Sequence, residues 1–335
     1  MRWRAAVWAL VGAAAACGGE GEPAPARPVQ PTGGLGGAMV FAGSCDASGA
    51  VWLEGSLIAV ADDEDNLLRI YDSAAPGAPA GVVETASVLA DPRGKHPEMD
   101  LEAAARIGDR IYWLASHGRK KSGKPAPSRL RLFATDVGAD GQLAFAGTVY
   151  ERLVEDLAAL PGIELAVAAA RSPTAQGGLN IEGLGETAGG QLLLGFRSPV
   201  LPDGRALVVP VENPAAMVER GERAVLGAPI RIDLGGRGVR AMERDGERHF
   251  ILGGARGARI EPARLYVWDG RGAAAREVAG VGFGDLNPEA LAWVGGRLLV
   301  VSDDGERAMA GGRPCKKLKD AGARRFRAAW VLNPE

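Results

Sequence analysis

The chain has 335 residues, and its 39 basic and 41 acidic side chains leave a formal net charge of −2. Nucleic-acid-binding proteins normally carry a basic excess that neutralises phosphates, so this balance argues against a nucleic-acid partner. The length suits one large domain or two small ones.

Residues 1–16 have the pattern of an export signal. Arg2 and Arg4 give a positive start, and the apolar run that follows is too short for a stable membrane-spanning helix. Small residues then lead into Cys17, which resembles a bacterial lipoprotein signal whose cysteine is lipidated and becomes the N-terminus. We expect a lipid-anchored protein of the cell envelope, at the outer membrane because Gly18 is not an acidic retention residue. An ordinary secretory signal is the alternative.

Residues 17–37 are rich in Gly and Pro and contain almost no large apolar side chains. Such a segment cannot bury enough surface to offset its ordering entropy, so it predicts a flexible tether behind the lipid. We expect a single folded domain over 38–335, acting as a monomer that meets the membrane only through the lipid.

The folded part contains five sequence units with a common pattern. Each has short apolar runs separated by Gly, Asp or Asn turns, which indicates antiparallel β-structure. The units begin at residues 46, 100, 180, 238 and 287 with "DASGAVWL", "DLEAAARI", "NIEGLGET", "GVRAMERD" and "NPEALAWV". Periods near fifty residues with about four strands each predict an all-β, five-bladed β-propeller. A sixth blade and a pair of β-sandwiches are the alternatives.

One step between units is longer than the others because of an insertion near 150–170. Its apolar residues Leu153, Leu157 and Leu160 recur at the three-to-four spacing of a helix. The sequence therefore predicts a helical insertion between the second and third blades.

The last unit ends before a fourth strand, whereas "GAMVFAG" at 37–43 is an unassigned strand that precedes the first blade. This N-terminal strand is expected to complete the last blade and close the ring. Closure would bring Cys45 near Cys315, which predicts a disulfide in an oxidising compartment. Two separate buried thiols are the alternative.

Alignment of the units predicts a cluster of charged residues at one mouth of the central channel. The starts of the inner strands align Ser48, Glu102, Glu182, Arg240 and Glu289, and the ends of the second strands align Asp63, His117, Arg197, Ala255 and Asp304. Grouped carboxylates can bind a hard cation such as Ca²⁺, or shift one another's pKa toward acid–base catalysis.

These residues divide into candidate roles. Glu102, Glu182 and Glu289 are candidates for metal ligands, with Ca²⁺ as the cation, and together with His117 for catalysis. The candidates for ligand binding are Asp63, Arg197, Arg240 and Asp304. Alternatively, the glutamates could lock the blades together by accepting backbone N–H groups of a neighbouring blade.

The segment "GRKKSGKP" at 118–125 has the glycine and lysine spacing of a phosphate-binding loop. Pro125 stands where the Mg²⁺-binding Ser or Thr is required, and a strand follows instead of a helix, which excludes nucleotide binding. The basic run is interpreted as a solvated loop that could attract an anionic ligand near His117.

Taken together, "CDASGAVWLEGSLIAVADDEDNLLRIY", "DLEAAARIGDRIYWLASHGRKKSGK", "LNIEGLGE", "NPEALA" and "RRFRAAWV" resemble the bacterial domain-of-unknown-function family 3616. This resemblance spans most of 45–331 and implies a propeller-like domain without an established activity. The chain is more distantly similar to phytase-related, esterase-like propellers, which share an N-x-E-G blade start. We expect a ligand- or partner-binding propeller; a metal-assisted phosphoesterase or esterase is the alternative.

Overall fold

A computed structural model describes residues 34–86, 97–255 and 261–334 of the chain. The proposed signal, the proposed lipidation site Cys17 and nearly all of the predicted tether lie outside these described residues. Within them, no helix is long and apolar enough to cross a membrane.

The structure is an all-β propeller of five blades, as predicted. Two short N-terminal strands, β1 (Gly34–Leu35) and β2 (Met39–Ala42), precede the first blade. Blades 1 to 4 are four-stranded antiparallel sheets whose strands pair in chain order.

Blades 1 and 2 occupy the first part of the described chain. Blade 1 comprises β3 (Ala47–Trp52), β4 (Leu57–Asp62), β5 (Leu67–Asp72) and β6 (Gly81–Glu84). Blade 2 comprises β7 (Leu101–Ile107), β8 (Arg110–Ala115), β9 (Leu132–Val137) and β10 (Leu143–Tyr150). A 3₁₀ turn, Pro127–Arg129, precedes β9.

The predicted helical insertion follows blade 2 as two short helices, α1 (Leu153–Ala158) and α2 (Leu165–Ala169). The chain between them contains Pro161 and Gly162, and Gly162 adopts a positive φ of 76° that ends helical geometry. Leu153 and Leu157 are fully buried against blades 2 and 3, so the insertion extends the hydrophobic core.

Blades 3 and 4 follow the insertion. Blade 3 comprises β11 (Asn180–Glu186), β12 (Leu192–Ser198), β13 (Ala206–Val211) and β14 (Ile230–Ile232). Blade 4 comprises β15 (Gly238–Asp245), β16 (Arg248–Gly254), β17 (Arg264–Trp268) and β18 (Ala275–Glu277). A third helix, α3 (Pro214–Arg220), lies between β13 and β14 and was not predicted. Its sequence signal is Pro214 at the start and Gly221, in the left-handed region, at the end.

Blade 5 combines both ends of the described chain, which confirms the predicted ring closure. It comprises β19 (Pro288–Val294), β20 (Arg297–Ser302) and β21 (Arg325–Leu332), followed by the N-terminal strands on the outer edge of β21. Strand β2 pairs with β21 from Met39 opposite Ala328, and β1 pairs from Gly34 opposite Leu332. Two 3₁₀ turns, Cys315–Lys317 and Ala321–Ala323, precede β21.

Cys45 and Cys315 form the predicted disulfide, with an S–S distance of 2.01 Å and Cα atoms 5.8 Å apart. The bond joins the start of blade 1 to the loop between β20 and β21 of blade 5. The ring is therefore closed by strand pairing and by a covalent bond at the same blade interface.

The hydrophobic core of the described residues is divided among the blade interfaces. Five buried clusters are present, and each contains side chains from two neighbouring blades. One example is the cluster of Phe41, Tyr71 and Phe326 between blades 5 and 1, whose ring centroids lie 5.1 to 5.3 Å apart. This packing leaves the inner ends of the blades free to present polar side chains.

Candidate functional site

A β-bulge occurs near the start of the inner strand of every blade. In each case the register with the second strand shifts across a single residue. The residues at these five bulges are Ser48, Glu102, Glu182, Arg240 and Glu289. They are the five positions that the repeat alignment made equivalent. Because a bulge re-aims the side chain of its extra residue, the same local irregularity directs all five toward the channel axis.

Four of the bulge residues, Glu102, Glu182, Arg240 and Glu289, lie on the floor of a cavity of about 720 Å³ at one mouth of the propeller, and Ser48 lines the narrower channel below it. Ten carboxylates and six basic side chains line it. The carboxylates are those of Asp46, Asp63, Glu64, Glu98, Asp100, Glu102, Glu182, Glu289, Asp303 and Glu306. The basic side chains are those of Lys120, Lys121, Arg129, Arg197, Arg240 and Lys316. The cavity is therefore strongly polar, with more carboxyl groups than basic groups.

The channel below this cavity is nearly closed. Its free volume is only about 10 Å³, and Leu184, Met242 and Leu291 are among the side chains around it. This is about the smallest space that can hold a single water molecule. The mouth is thus a cup with an apolar base rather than the entrance of an open pore.

Two of the floor glutamates are neutralised by arginines. Nη1 of Arg197 donates to Oε1 of Glu182 at 2.5 Å, and Nδ2 of Asn180 donates to the same oxygen at 2.7 Å. Arg240 donates through Nη2 to Glu289. Its Nε lies 3.3 Å from Oε2 of Glu182, an ion-pair contact whose geometry leaves both atoms without a hydrogen bond. Arg240 therefore joins the two glutamates across blade 4.

Glu102 differs from these two glutamates. Its side chain is 7% exposed, and it makes no hydrogen bond or ion pair with any other residue that the structure describes. Burial, together with the negative charge of Glu182, raises the pKa of Glu102 well above its usual range. Glu102 is thus an uncompensated carboxyl on the floor of the cup.

Asp46 and Asp63 of blade 1 are also carboxyls without an ion-pair partner in the described chain. Asp46 is 6% exposed, and burial followed by repulsion from Asp303 raises its pKa to about 8. Oδ1 of Asp63 is buried without a hydrogen-bond partner, and burial and Asp303 raise the pKa of Asp63 as well. Among the described residues, neither carboxylate is in an ion pair. The acidic side of the cup therefore spans blades 5, 1 and 2.

The three aligned glutamates meet at the centre of the floor. One carboxylate oxygen from each of Glu102, Glu182 and Glu289 lies within 4.8 Å of the others, a spacing that a cation could bridge. Arg240, however, already contacts Glu182 and Glu289. A divalent ion bound by all three would lie beside this guanidinium, which does not lose its charge. The donor set therefore suits a divalent ion poorly while Arg240 stays in place.

These glutamates do not lock the blades through backbone groups. No backbone N–H of the described chain donates to Glu102, Glu182 or Glu289 in this structure. Besides the contacts of Arg240 with blades 3 and 5, blades 1 and 2 are joined at this level by Ser48, whose hydroxyl donates to the carbonyl oxygen of Leu101 at 2.5 Å. The serine that interrupts the glutamate series therefore has a structural contact of its own.

Asp63, Arg197 and Arg240 line the cavity, whereas His117 and Asp304 do not. Strand β8 ends at Ala115, opposite Leu101, so Ser116 occupies the position equivalent to Asp63. In blade 5, Pro288 lies opposite Ser302, so Asp303 is the equivalent residue. In blade 4, Val239 lies opposite Gly253, so Gly254 and not Ala255 is the equivalent residue. The sequence alignment therefore placed the second-strand residues of these three blades one position too late.

His117 and Asp304 have other surroundings. Nδ1 of His117 lies 2.7 Å from the carbonyl oxygen of Ala115, and burial lowers the pKa of His117 to about 4, so the ring is neutral. Its side chain borders a separate pocket of about 260 Å³ beside α1 and α2. Asp304 is buried in an ion pair with Arg327, whose Nε lies 2.7 Å from Oδ2. Asp304 therefore supports β21 from within blade 5.

The sequence reasoning did not assign Asp46, Asp100, Asn180 and Asn287 to the site. Each of these residues begins a repeat unit directly before or at the start of the inner strand, and all four line the cavity. Their signal was present, since an Asp or Asn at this position recurs in four of the five units. It was used to count blades rather than to locate side chains.

Several solved structures are similar to this chain at low sequence identity. A glutaminyl cyclase of Myxococcus xanthus is 14% identical, with a TM-score of 0.45, over 91% of this chain and 100% of the other. A gluconolactonase of Xanthomonas campestris is 16% identical, with a TM-score of 0.40, over 81% and 75%. A PQQ-bound aldose sugar dehydrogenase of Streptomyces coelicolor is 14% identical, with a TM-score of 0.41, over 88% and 99%. At this level of similarity, the ligands and activities of these proteins carry no inference for this chain.

No curated protein sequence matches the chain significantly. The family described as "Protein of unknown function (DUF3616)" matches residues 147–282, which include Glu182, Arg197 and Arg240. This match confirms the resemblance seen in the sequence over the part of the chain that contains blades 3 and 4.

Proposed function

We propose that the protein binds a small ligand with a cationic group in the cup at the mouth of the propeller. The observation that carries this proposal is the uncompensated set of carboxylates Asp46, Asp63 and Glu102, which line the cavity without an ion-pair partner in the described chain. The arginines of the same cavity are engaged with other glutamates. These three carboxylates could therefore pair with a positive charge that the described residues do not supply.

The physical reason is the cost of burying charge. A carboxylate removed from water without a counter-ion is strongly unfavourable, and the group responds by holding its proton. The raised pKa values of Asp46, Asp63 and Glu102 follow from this burial. A bound ammonium or similar cation would favour the ionised carboxylates and offset that cost. Perturbed carboxylates inside a cavity are typical of functional sites.

The experiment is isothermal titration calorimetry with primary alkylamines at pH 7, in two buffers of different ionisation enthalpy. We expect binding accompanied by proton release, because the cation lowers the pKa of carboxyls that are protonated before binding. Asp46→Asn and Glu102→Gln should each weaken binding by about tenfold. Glu277→Gln, an exposed carboxylate outside the cup, is the matched control and should bind as the wild type does. Absence of amine binding, or equal binding by all variants, would refute the proposal.

A second candidate is a metal-assisted phosphoesterase or esterase built on Glu102, Glu182 and Glu289. The carboxylate oxygens within 4.8 Å of one another support it, and the contacts of Arg240 oppose it. Thermal unfolding with and without Ca²⁺ tests this candidate. Stabilisation of the wild type that Glu182→Gln abolishes would favour the metal centre over the amine site.

We propose further that the protein is a monomeric lipoprotein of the cell envelope, held through a lipid on Cys17 at the outer membrane. The support is the sequence pattern of 1–17, because these residues lie outside the described structure. The near balance of charge supports a partner other than nucleic acid.

A further inference from the structure

Most charged side chains that line the cup form ion pairs with one another, and a few of each sign remain unpaired. Arg129 pairs with Glu98 at 2.5 Å and Asp100 at 2.7 Å, and Lys316 pairs with Glu306 at 2.6 Å. Arg197 and Arg240 are taken by Glu182 and Glu289. Among the described lining residues, the cations without an ion-pair partner are those of Lys120 and Lys121.

These two lysines belong to a loop, 118–125, whose backbone is held in place. The N–H of Gly123 donates to the carbonyl oxygen of Lys120 at 2.7 Å, and that of Lys120 donates to the carbonyl oxygen of Lys124 at 3.0 Å. The hydroxyl of Ser172 donates to the carbonyl oxygen of Lys121 at 3.0 Å. The loop therefore presents Lys120 and Lys121 at the rim from a fixed turn.

The unpaired charges are separated by sign. Asp46 and Glu102 are buried and Asp63 is half-buried with an inaccessible Oδ1, whereas Lys120 and Lys121 are exposed at the rim of the cup. A ligand that satisfies both sets must carry a positive group at one end and a negative group at the other. The volume of about 720 Å³ is that of a site for a small molecule rather than a polymer.

We propose that the ligand is a small zwitterion, with an ammonium group against Asp46, Asp63 and Glu102 and a carboxylate or phosphate group against Lys120 and Lys121. This inference rests on the proposed function and adds the second recognition element. The loop that resembles a phosphate-binding sequence thereby acquires a role as the anion-contacting rim of a different kind of site. No covalent step is involved.

Calorimetry with matched pairs of compounds tests the inference. Each pair contains an ω-amino carboxylate and the alkylamine of equal chain length, over chains of about three to eight carbons. We expect the best amino carboxylate to bind about threefold to fivefold more tightly than its amine at low salt, the gain typical of an exposed ion pair. The double variant Lys120→Gln/Lys121→Gln should abolish this difference and leave amine binding intact.

Lys124→Gln is the matched control, because Lys124 belongs to the same loop but does not line the cup. It should keep the preference for the amino carboxylate. If the amine binds and the amino carboxylate binds no more tightly, or if the double variant keeps the preference, the zwitterion is refuted while the cation site stands. If no amine binds, both proposals fail. An aminoalkyl phosphate tested beside the carboxylate shows which anionic group the rim prefers.

Discussion

A Cβ atom on Gly254 would lie 2.2 Å from Cδ of Arg240, so the arginine side chain occupies the space that any larger residue at position 254 would need. Gly254 occupies the position at the end of its second strand that Asp63, Arg197 and Asp303 occupy in their blades. Blade 4 therefore has no side chain at this position. The charge reversal at Arg240 and the glycine beside it are therefore one structural unit.

The first prediction concerns this unit. Gly254→Ala should displace Arg240 from Glu289 and lower the free energy of unfolding by about 1–3 kcal/mol, as overpacking does elsewhere. Chemical denaturation measures the change. Gly282→Ala is the control, since a Cβ there meets nothing within 4 Å. If Gly254→Ala were equally neutral, the contact would not constrain Arg240.

The second prediction concerns the charge of Arg240. Arg240→Gln leaves Glu289 without its guanidinium partner and removes one from Glu182, which should cost about 3 kcal/mol of stability. Glu289 would then be unpaired and Glu182 would keep only Arg197, so the three glutamates could share a divalent ion, and Ca²⁺ should raise the melting temperature of the variant but not of the wild type. Differential scanning calorimetry with and without Ca²⁺ makes the comparison. A wild type stabilised as much as the variant would contradict this account.

The third prediction is a loss of stability with rising pH. The pKa of Asp46 is about 8 and that of Asp100 about 7 in the folded chain, against an ordinary value of 3.8. Between pH 3.8 and about 8, the folded state therefore binds more protons than the unfolded state. The free energy of unfolding falls as the pH rises through this range. Urea denaturation from pH 5 to pH 9 should show this fall. Asp46→Asn should reduce its slope, and a slope unchanged in the variant would remove Asp46 as its source.

The fourth prediction concerns the covalent closure. Replacing Cys45 and Cys315 together by serine removes the bond between residues 270 positions apart and should lower stability by about 2–5 kcal/mol. Denaturation of the double variant, beside the wild type with and without reductant, measures the effect. The reduced wild type and the variant should coincide, and a variant as stable as the oxidised wild type would show that strand pairing alone closes the ring.

The fifth prediction concerns the proposed anchor. Cys17→Ser should move the protein from the membrane fraction to the soluble fraction of the producing cells, because the lipid is the expected attachment. Fractionation followed by immunoblotting provides the measurement. Unchanged partitioning would contradict lipidation at Cys17.

The repeat made the fold predictable because it records local chemistry. Turn residues and alternating apolar runs are set by the backbone requirements of each blade, and these requirements recur five times. The same regularity aligned Glu102, Glu182 and Glu289 correctly, since all three occupy a bulge that every inner strand contains.

What the repeat did not determine is the partner of each charged side chain. Arg240 contacts glutamates from the two neighbouring blades, a relationship that depends on the ring and on Gly254 rather than on spacing along the chain. The one-residue error at His117 has a similar origin. It arose because strand ends were judged from composition, whereas pairing across the sheet decides which residue reaches the mouth.

Closure of blade 5 by β1 and β2 also has a kinetic consequence. Gly34 pairs with Leu332, so the N-terminal strands have no sheet to join until nearly the whole folded part of the chain is available. Contacts of such long sequence separation slow folding, because loop closure must precede the contacts that repay it. During folding the early strands would remain exposed edges. We expect a chaperone that shields β-strands to raise the folding yield more for this protein than for a blade-by-blade repeat without ring closure.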